Sequence, residues 1–600
     1  MTNTQSRPWD FLENYRGTVF TGEWPTFPQV LTISAARFPE SPCFTDFDGP
    51  GDSKRTRTYA QVLDDVKKLA LWITANGVKK GDKIAVTGKN SPEWATAYLA
   101  ALYASAIVVP IDYALHDDEV ANLIKASEPK MLFVDEEKYE RFAKKYKTIK
   151  TLSLSKQFPK TYVYNLDATD PKQRGTAKTS TAAKASGTAK SAKIKENAPA
   201  KSGDVAAILF TSGTTGTPKG VMLTHENLIS DCYIAQMNFR HSNGDVFYAL
   251  LPIHHAYTMQ AAFINPLSTG AEIVFGKSMA VSRLMKELRE GKITVMLGVP
   301  LLYNKLLAGI KKGIREKGVL VANLMKFLMG LSYIIKKTTG KNPGKVLFKK
   351  VLVQANIYTL RVAICGGGPL SSGVFKAYNA AGINFIQGYG LTETSPIITL
   401  NPVEHFKIES VGKDFAPYEE IKIINPDKDG IGEIAVKGPM VMKGYYNMPK
   451  ETKAMFTQDG FLKTGDIGKL DSEHYLILCG RAKNIIVTSG GKNVYPEEIE
   501  DMFQLCDDIQ QITVQGYEEN AEEKSEGIEA LVYPSDDVFA KFGVKRNDAL
   551  FITDDVRHMI QTDIDNVNKN LPPYARITKV TILDKPLEMT TTMKVKRKYK

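Results

Sequence analysis

Cysteine is scarce in this chain of 600 residues: there are five, and they are far apart along the sequence. Their spacing provides neither a disulfide framework nor the closely spaced Cys and His ligands of a zinc site. A small disulfide-stabilised secreted fold is therefore excluded, and we expect a reducing, cytoplasmic environment. The five are Cys43, Cys232, Cys365, Cys479 and Cys506.

Long hydrophobic runs are also lacking. The N-terminal residues have no apolar core of the kind that a signal peptide requires. The longest apolar stretch, residues 94–110, is shorter than the ~20 residues of a membrane-spanning helix. Its Ala-rich first half predicts a helix that leads into a buried strand. We expect a soluble protein, with peripheral contact at the inner face of a membrane as the alternative.

Acidic residues are almost absent from two segments, which carry the net charge of +12. Residues 301–350 hold twelve Lys and Arg against Glu316 alone, and residues 171–201 hold eight against Glu196 alone. The rest of the chain is therefore slightly acidic. This localised charge, and the lack of an aromatic module for base stacking, argue against a nucleic-acid-binding protein.

The two basic segments differ in composition. Residues 165–202 have almost no large apolar side chain and repeat Gly-Thr-Ala-Lys, which predicts a flexible tether. Residues 301–350 mix apolar residues with lysines, which predicts amphipathic helices with basic faces. Two explanations of those faces stay open: a solvated surface on packed helices, or docking on an anionic membrane.

Elsewhere, short apolar runs alternate with helical patterns, which predicts an α/β fold with mainly parallel sheets. The pattern changes near residue 480, where a small α+β unit begins. Together with the chain length, this predicts an N-terminal domain of residues 1–480 and a C-terminal domain of residues 481–600. The clearest strand candidates are residues 82–88, 272–276, 361–365 and 383–387.

The most informative segment is TSGTTGTPKG, residues 211–220, which follows the apolar run 205–210. Glycines let a backbone approach a ligand closely, and successive N–H groups in such a loop bind anions. Lys219 adds a positive charge. The segment differs from the P-loop of nucleoside triphosphatases, because Gly220 follows this lysine where that motif has Ser or Thr. We predict a strand that leads into a phosphate-binding loop.

Four more segments place polar residues in or near turns that follow strands. In QGYGLTET, the flat ring of Tyr389 can stack on a base, and Glu393 offers the hard oxygen that Mg²⁺ prefers. In FLKTGDIG, Asp466 can accept hydrogen bonds from two hydroxyl groups. The segments are LPIHHAY (251–257), ICGGGPLS (364–371), QGYGLTET (387–394) and FLKTGDIG (461–468).

In this order, the motifs resemble those of the adenylate-forming superfamily, which contains acyl-CoA synthetases, peptide-synthetase adenylation domains and firefly luciferase. The resemblance extends from about residue 25 to the C-terminus, and residues 300–360 resemble the long-chain acyl-CoA synthetase branch. It implies a large N-terminal adenylation domain of several subdomains and a small, mobile C-terminal domain.

The resemblance also implies a binding site for ATP. It assigns Thr392 to the α-phosphate, Glu393 to Mg²⁺, and Asp466 and Arg481 to the ribose. The glycine turn with Gly367 and the segment Gly388, Tyr389 and Gly390 would enclose the adenosine. The phosphate-loop residues are Thr211, Ser212, Gly213, Thr214, Thr215, Gly216 and Lys219.

Three further roles follow from the resemblance. His255 would lie beside the acyl carboxylate, and Lys483 would be the hinge between the two domains. Lys594 would be the catalytic lysine of a mobile C-terminal segment. Many relatives have glycine before that lysine, whereas this chain has Met593, and Lys596 and Lys598 lie close by.

The resemblance implies a long-chain fatty acid–CoA ligase that uses ATP, Mg²⁺ and coenzyme A. An apolar acyl tunnel is expected along residues 257–263, 295–299 and 388–391. Three alternatives stay open: transfer of the acyl group to an acyl-carrier protein, a reaction that ends at the adenylate, and a non-catalytic relative that binds acyl groups or nucleotides. The intact motif residues argue against the last.

Overall fold

The computed structural model describes residues 7–170, 173, 196–211, 218–368, 370–488, 492–520, 525–545, 552–589, 595 and 597. Most of the expected tether lies outside the described residues. So do Ser212, Gly213, Thr214, Thr215, Gly216 and Lys594, whose expected roles therefore stay predictions.

The largest sheet has eight strands. They are β1 (Pro42–Asp46), β2 (Arg55–Thr58), β9 (Val246–Ala249), β10 (Glu272–Phe275), β11 (Val295–Gly298), β12 (Val362–Cys365), β13 (Asn384–Gly390) and β14 (Ile397–Leu400). Their spatial order is β14-β13-β12-β11-β9-β10-β1-β2. The five inner pairs are parallel and the two edge pairs are antiparallel.

A second sheet has seven strands. They are β3 (Lys83–Thr87), β4 (Ile107–Ile111), β5 (Met131–Val134), β6 (Lys150–Ser153), β7 (Val205–Thr211), β8 (Lys219–Thr224) and β17 (Gly444–Tyr445). Their order is β17-β8-β7-β4-β3-β5-β6. The pairs among β3 to β7 are parallel, whereas β8 pairs antiparallel with β7 and with β17.

Helices connect and cover these sheets. They are α1 (Phe27–Arg37), α2 (Tyr59–Ala75), α3 (Pro92–Tyr103), α4 (Asp117–Ser127), α5 (Glu136–Lys145), α6 (His225–Ile234), α7 (Ala256–Thr258), α8 (Asn265–Thr269), α9 (Val281–Gly291), α10 (Pro300–Arg315), α11 (Val319–Thr339), α12 (Gly344–Leu347), α13 (Lys349–Gln354) and α14 (Ser372–Ala380). A π-helix spans Met259–Ile264. The Ala-rich stretch forms the buried helix α3 and then the strand β4, as expected.

The remaining elements form an antiparallel sheet and a separate C-terminal unit. The sheet contains β15 (Glu420–Ile424), β16 (Gly432–Lys437), β18 (Leu462–Leu470) and β19 (Leu476–Arg481), with α15 (Pro449–Met455) beside it. The C-terminal unit contains β20 (Ile486–Val487), β21 (Asn493–Val494), α16 (Pro496–Asp501), β22 (Ile509–Asn520), β23 (Ser525–Pro534), α17 (Asp536–Lys541), α18 (Asp554–Asn568) and β24 (Lys579–Ile582).

The C-terminal unit has its own apolar core, in which Val514, Ile528 and Ile560 are fully or almost fully buried. The expected fold class is confirmed: an α/β body with mainly parallel sheets is followed by a small α+β unit. The domain boundary at residue 480 stays a prediction.

Helix α11 differs from its expected character. Among the described residues, it alone is long and apolar enough to cross a membrane by length and composition, and most of it is exposed. The region does form helices, but the outward face of α11 is apolar rather than basic. Asn323 and Lys326 interrupt the apolar residues of α11. Residues 94–110 are therefore the longer uninterrupted apolar stretch in the sequence.

Candidate active site

Segments that follow parallel strands of both large sheets meet at the carboxyl ends of those strands, where α/β proteins bind ligands. Asn90, just beyond β3, connects the two sheets. Its Nδ2 donates to the carbonyl oxygens of Ala249 and Leu251, both at 2.8 Å. Its Oδ1 accepts from the N–H of Ile253 at 3.0 Å. This side chain therefore fixes the loop that carries the two histidines.

The histidines lie side by side at this edge. The Nε2 atoms of His254 and His255 are 3.1 Å apart, and Asp112 Oδ1 lies 3.4 Å from Nε2 of His254. Either ring can be the donor in the contact between the two histidines, and the carboxylate of Asp112 lies beside His254. Buried His254 and Asp112 thus orient the half-buried His255.

The glycine turn after β12 packs against Tyr257. The hydroxyl of Tyr257 donates to the carbonyl oxygen of Ile364 at 3.1 Å, and a Cβ on Gly366 would lie 3.0 Å from the ring. Gly367 has φ +79°, a conformation that favours glycine, and a Cβ there would lie 3.7 Å from Val299. Two of the segments expected to line the acyl tunnel therefore meet at this turn.

Tyr389, Asp466 and Arg481 form one hydrogen-bonded cluster. The Tyr389 hydroxyl donates to Oδ2 of Asp466 at 2.7 Å, and Arg481 Nε lies 2.7 Å from Oδ1. Asp466 lies within β18 rather than in the expected glycine turn, and it faces Arg481 across β18 and β19. Burial, and then the charge of Asp466, raise the pKa of Tyr389 well above its usual range, so the phenol stays a donor. A carboxylate accepts about four hydrogen bonds, so such a group can serve several donors at once.

Glu393, Tyr445 and Lys219 form a second cluster. The Tyr445 hydroxyl donates to Oε1 of Glu393 at 2.7 Å, and burial raises the pKa of this phenol far above its usual range. The ammonium of Lys219 lies 5.0 Å from the centre of the same ring, within reach of a cation–π contact. A carboxylate and a lysine thus share one aromatic side chain.

Close packing of the backbone fixes the path of the chain between the Tyr389 cluster and the Glu393 cluster. A Cβ on Gly390 would lie 1.6 Å from the carbonyl oxygen of Pro396, so only glycine fits at this point. The 3₁₀ turn Thr392–Thr394 follows, and it holds Thr392 and Glu393. Gly388 packs tightly for another reason, because a Cβ there would lie 3.1 Å from Leu400. The segment from Tyr389 to Glu393 therefore connects both clusters in a single strand and turn.

The residues that flank the predicted phosphate loop in the sequence pair as a hairpin. Thr211 and Lys219 pair across β7 and β8, which brackets the loop residues between them. The N–H of Tyr446 donates to the carbonyl oxygen of Gly220 at 2.7 Å, which ties the hairpin to the chain beside Tyr445. The base of the loop therefore lies beside the second cluster.

The expected hinge and the C-terminal segment show two contrasting environments. Lys483 is exposed in the 3₁₀ turn Ala482–Asn484, two residues after Arg481. Arg597 is held firmly: its Nη2 lies 2.7 Å from both carboxylate oxygens of Glu500. Burial raises the pKa of Glu500 to about 7, despite the opposing effect of Arg597. This pair anchors the chain three residues beyond Lys594.

Sequence reasoning missed Asn90, Asp112, Tyr445 and Arg597. Asn90 and Asp112 each follow an apolar strand run, so the search for polar residues at strand ends could have found them. Tyr445 and Arg597 carry no such signal, because Glu393 is 52 residues from Tyr445 and Glu500 is 97 residues from Arg597.

Comparison with known proteins assigns the chain to one family. Residues 31–446 match the family described as AMP-binding enzyme, and residues 483–599 match the AMP-binding enzyme C-terminal domain. A chloroplastic long-chain fatty acid–[acyl-carrier-protein] ligase from Arabidopsis thaliana is 27% identical over 96% of this chain and 85% of its own. A long-chain fatty acid–CoA ligase from Bacillus subtilis is 27% identical over 82% of each chain.

Solved structures show the same fold. The o-succinylbenzoate CoA synthetase MenE from Bacillus subtilis, in complex with its acyl-adenylate intermediate, has a TM-score of 0.70. It is 22% identical, and the match covers 96% of this chain and 97% of that one. ATP-bound MatB from Rhodopseudomonas palustris has a TM-score of 0.68 at 24% identity, over 95% and 97% of the two chains.

Proposed function

The chain belongs to the family of AMP-binding enzymes, and from this premise we propose that it is an ATP-dependent long-chain fatty acid–CoA ligase. The observation that carries the proposal is the arrangement of the two clusters along one strand and turn. Asp466 with Tyr389 and Arg481 suits a ribose and its base, while Glu393 with Lys219 suits phosphates. A nucleoside triphosphate has these groups in the same order.

The reaction has two steps. The fatty carboxylate oxygen attacks the α-phosphorus of ATP, and pyrophosphate leaves with the electron pair of the broken P–O bond. A thiol then attacks the acyl carbon of the adenylate, loses its proton, and releases AMP. A protein nucleophile is not required, and burial raises the pKa of Cys365 above its usual range, which keeps that thiol inert.

Each cluster has a separate task. Asp466 would accept the ribose hydroxyls, and the ring of Tyr389 would pack on the adenine. Lys219 and the loop it follows would hold the phosphates, while Thr392 would donate to the α-phosphate. His255, oriented by His254 and Asp112, would place the acyl carboxylate in line with the phosphorus.

The residues present fit a magnesium ion. Mg²⁺ binds to proteins through one or two carboxylates together with substrate phosphates, and Glu393 supplies such an oxygen beside Lys219. When bound, the ion would neutralise charge that develops on the phosphates. The Tyr445 hydroxyl fixes the orientation of the Glu393 carboxylate that would ligate it.

The acyl acceptor has two candidates. The Bacillus subtilis relative is named a CoA ligase, whereas the Arabidopsis thaliana relative is named an acyl-carrier-protein ligase. Both names specify a long-chain fatty acid, which supports that substrate class. Residues 300–360 resemble the long-chain branch, which supports the length of the acyl chain; we take CoA as the first acceptor to test and the carrier protein as the second.

Pyrophosphate release from ATP and Mg²⁺ with palmitate tests the proposal, with no acceptor, with CoA, or with acyl-carrier protein. Mass spectrometry identifies the acyl product in each reaction. We expect palmitoyl-CoA only when CoA is present. Thioester on the carrier protein alone would establish the second candidate, and palmitoyl-AMP without any thioester would exclude both acceptors. No pyrophosphate release across fatty acids of different length would contradict the ligase.

A further inference from the structure

Helix α11 is attached to the α/β body by one face. Ser332 Oγ donates to the carbonyl oxygen of Ala380 at 2.8 Å. The buried ammonium of Lys336 donates to Oδ1 of Asn379 at 2.8 Å and to Oδ1 of Asn384 at 2.9 Å. These polar contacts lie among apolar side chains such as Met329, which packs on the core. The orientation of the helix is therefore fixed.

The opposite face of α11 is apolar and exposed. Its side chains recur every three or four residues, which places them on one side of a helix. Leu320 is 87% exposed, Phe327 69% and Ile334 59%. A helix on the surface of a soluble protein normally has polar residues there. The stripe is formed by Leu320, Leu324, Phe327, Leu331 and Ile334.

The next helix also exposes apolar side chains. Gly344 at the start of α12 packs on α11, because a Cβ there would lie 2.8 Å from Ser332 Oγ. Val346, on α12, is 78% exposed, and Leu347 beside it is also exposed. These two residues and the five of the stripe make up the α11 face. Exposed apolar surfaces of this kind mark interaction sites.

The charges that α11 and its neighbours along the sequence carry are almost all basic. Helix α11 contains no Asp or Glu, and Glu316 is the only acid in residues 301–350. Lys326 and Lys337 are exposed and eleven residues apart, about three helical turns, so they lie on the same flank of the stripe. Exposed Lys341 and Lys349 extend the basic border.

We propose that the α11 face docks on an anionic lipid surface, with α11 lying in the plane of the interface. Helices that bind in this way insert an apolar face among the acyl chains and place basic residues at the headgroups. The contacts of Ser332 and Lys336 with the body oppose a spanning orientation, because spanning would break them.

The basic residues beside the α11 face favour an anionic lipid surface over a second copy of the chain as its partner. Two α11 faces packed together would bring the lysine borders of both copies close to each other. Like charges at short range repel each other. Helix α11 has no acidic residue that would offset the repulsion between the two sets of lysines. Anionic headgroups complement the same border.

Co-sedimentation of the full-length protein with vesicles tests the proposal. We compare phosphatidylcholine vesicles with vesicles that also contain phosphatidylglycerol. We expect binding to the anionic vesicles that weakens at high salt, because exposed charges are screened. The double variant Leu324→Asp/Phe327→Asp should bind about a hundredfold more weakly, since each apolar side chain contributes roughly tenfold.

A second pair of substitutions tests the basic border of the α11 face. Lys326→Glu/Lys337→Glu should lower binding to anionic vesicles by about tenfold or more. The matched control Lys67→Glu/Lys79→Glu changes the same net charge at exposed lysines elsewhere and should bind much more strongly than the α11 variant. Met279→Asp is the control for the apolar variant, because Met279 is 43% exposed and lies outside the α11 face.

Several results would overturn the proposal. They are absence of binding by the wild-type protein, equal binding to neutral and anionic vesicles, and equal binding by the α11 variants and their controls. A dimer in solution that Leu324→Asp/Phe327→Asp converts to a monomer, without any vesicle binding, would assign the α11 face to a second copy. Release by detergent but not by high salt would indicate a spanning helix. Thermal unfolding of each variant verifies that it is folded.

Discussion

The proposed nucleotide site and the α11 face differ in where their side chains find partners. In the proposed site, Asp466 is bonded to Tyr389 and Arg481, and Glu393 is bonded to Tyr445. On the α11 face, large apolar side chains such as Phe327 point to solvent. A site for a small charged ligand needs oriented polar groups, whereas a surface for a disordered lipid layer needs area and charge.

The largest expected effect concerns Glu393. Glu393→Gln keeps an oxygen that can accept from Tyr445, so the local structure should persist, but it removes the negative charge that would ligate Mg²⁺. We expect pyrophosphate release to fall about a thousandfold, as for other groups that stabilise charge in a transition state. Single-turnover measurement of pyrophosphate gives the rate of this step.

Glu404→Gln is the matched control, because Glu404 is an exposed glutamate in the same domain. Its rate of pyrophosphate release should equal that of the wild-type protein. Vesicle binding should also be unchanged in Glu393→Gln, since the α11 face is a separate surface. A Glu393→Gln variant with nearly normal pyrophosphate release would remove this carboxylate from the proposed mechanism.

The sequence predicted much of the site because its motifs are local. Tyr389, Glu393 and Asp466 lie in short glycine-containing segments, and the structure brings Tyr389 and Asp466 into hydrogen-bonding contact. The partners of these residues were harder to predict. Tyr445 meets Glu393 through the pairing of β17 with β8 and through the N–H of Met442, which donates to the carbonyl oxygen of Glu393; no local pattern encodes these contacts.

For helix α11, the sequence predicted the helix but not which of its faces is exposed. The helix could be predicted from its composition, but both of its faces contain apolar residues. Periodicity alone did not show which face packs inward. The structure identifies it through Ser332 and Lys336, which contact the body. A polar residue can thus mark the buried side of a helix when its partners are backbone carbonyls and amide side chains.

The second prediction concerns the inner face of α11. Burial lowers the pKa of Lys336 from 10.5 to about 7. Between these values, the unfolded chain holds a proton that the folded chain lacks, so folding stability rises with pH across this window. The slope is at most about 1.4 kcal/mol per pH unit. Lys336→Met removes this titration.

We therefore expect the unfolding free energy of the wild-type protein, relative to Lys336→Met, to increase from pH 7 to pH 9. Chemical denaturation of both proteins at each pH measures it. Lys337→Met is the control, because the neighbouring Lys337 is exposed; its curve should parallel that of the wild-type protein. Parallel curves for Lys336→Met as well would show that Lys336 keeps its ordinary pKa in the folded chain.

The smallest expected effect separates two roles of Tyr389. Tyr389→Phe keeps the ring that would pack on adenine but removes the donor to Asp466. The lost hydrogen bond is worth about 1 kcal/mol, so KM for ATP should rise only several-fold. Tyr389→Leu removes the flat ring as well and should raise KM further. Steady-state kinetics with ATP as the varied substrate compares the two. Equal KM values in the two variants would mean that the hydroxyl group, rather than stacking, is what Tyr389 contributes, and the adenine would then have to lie elsewhere.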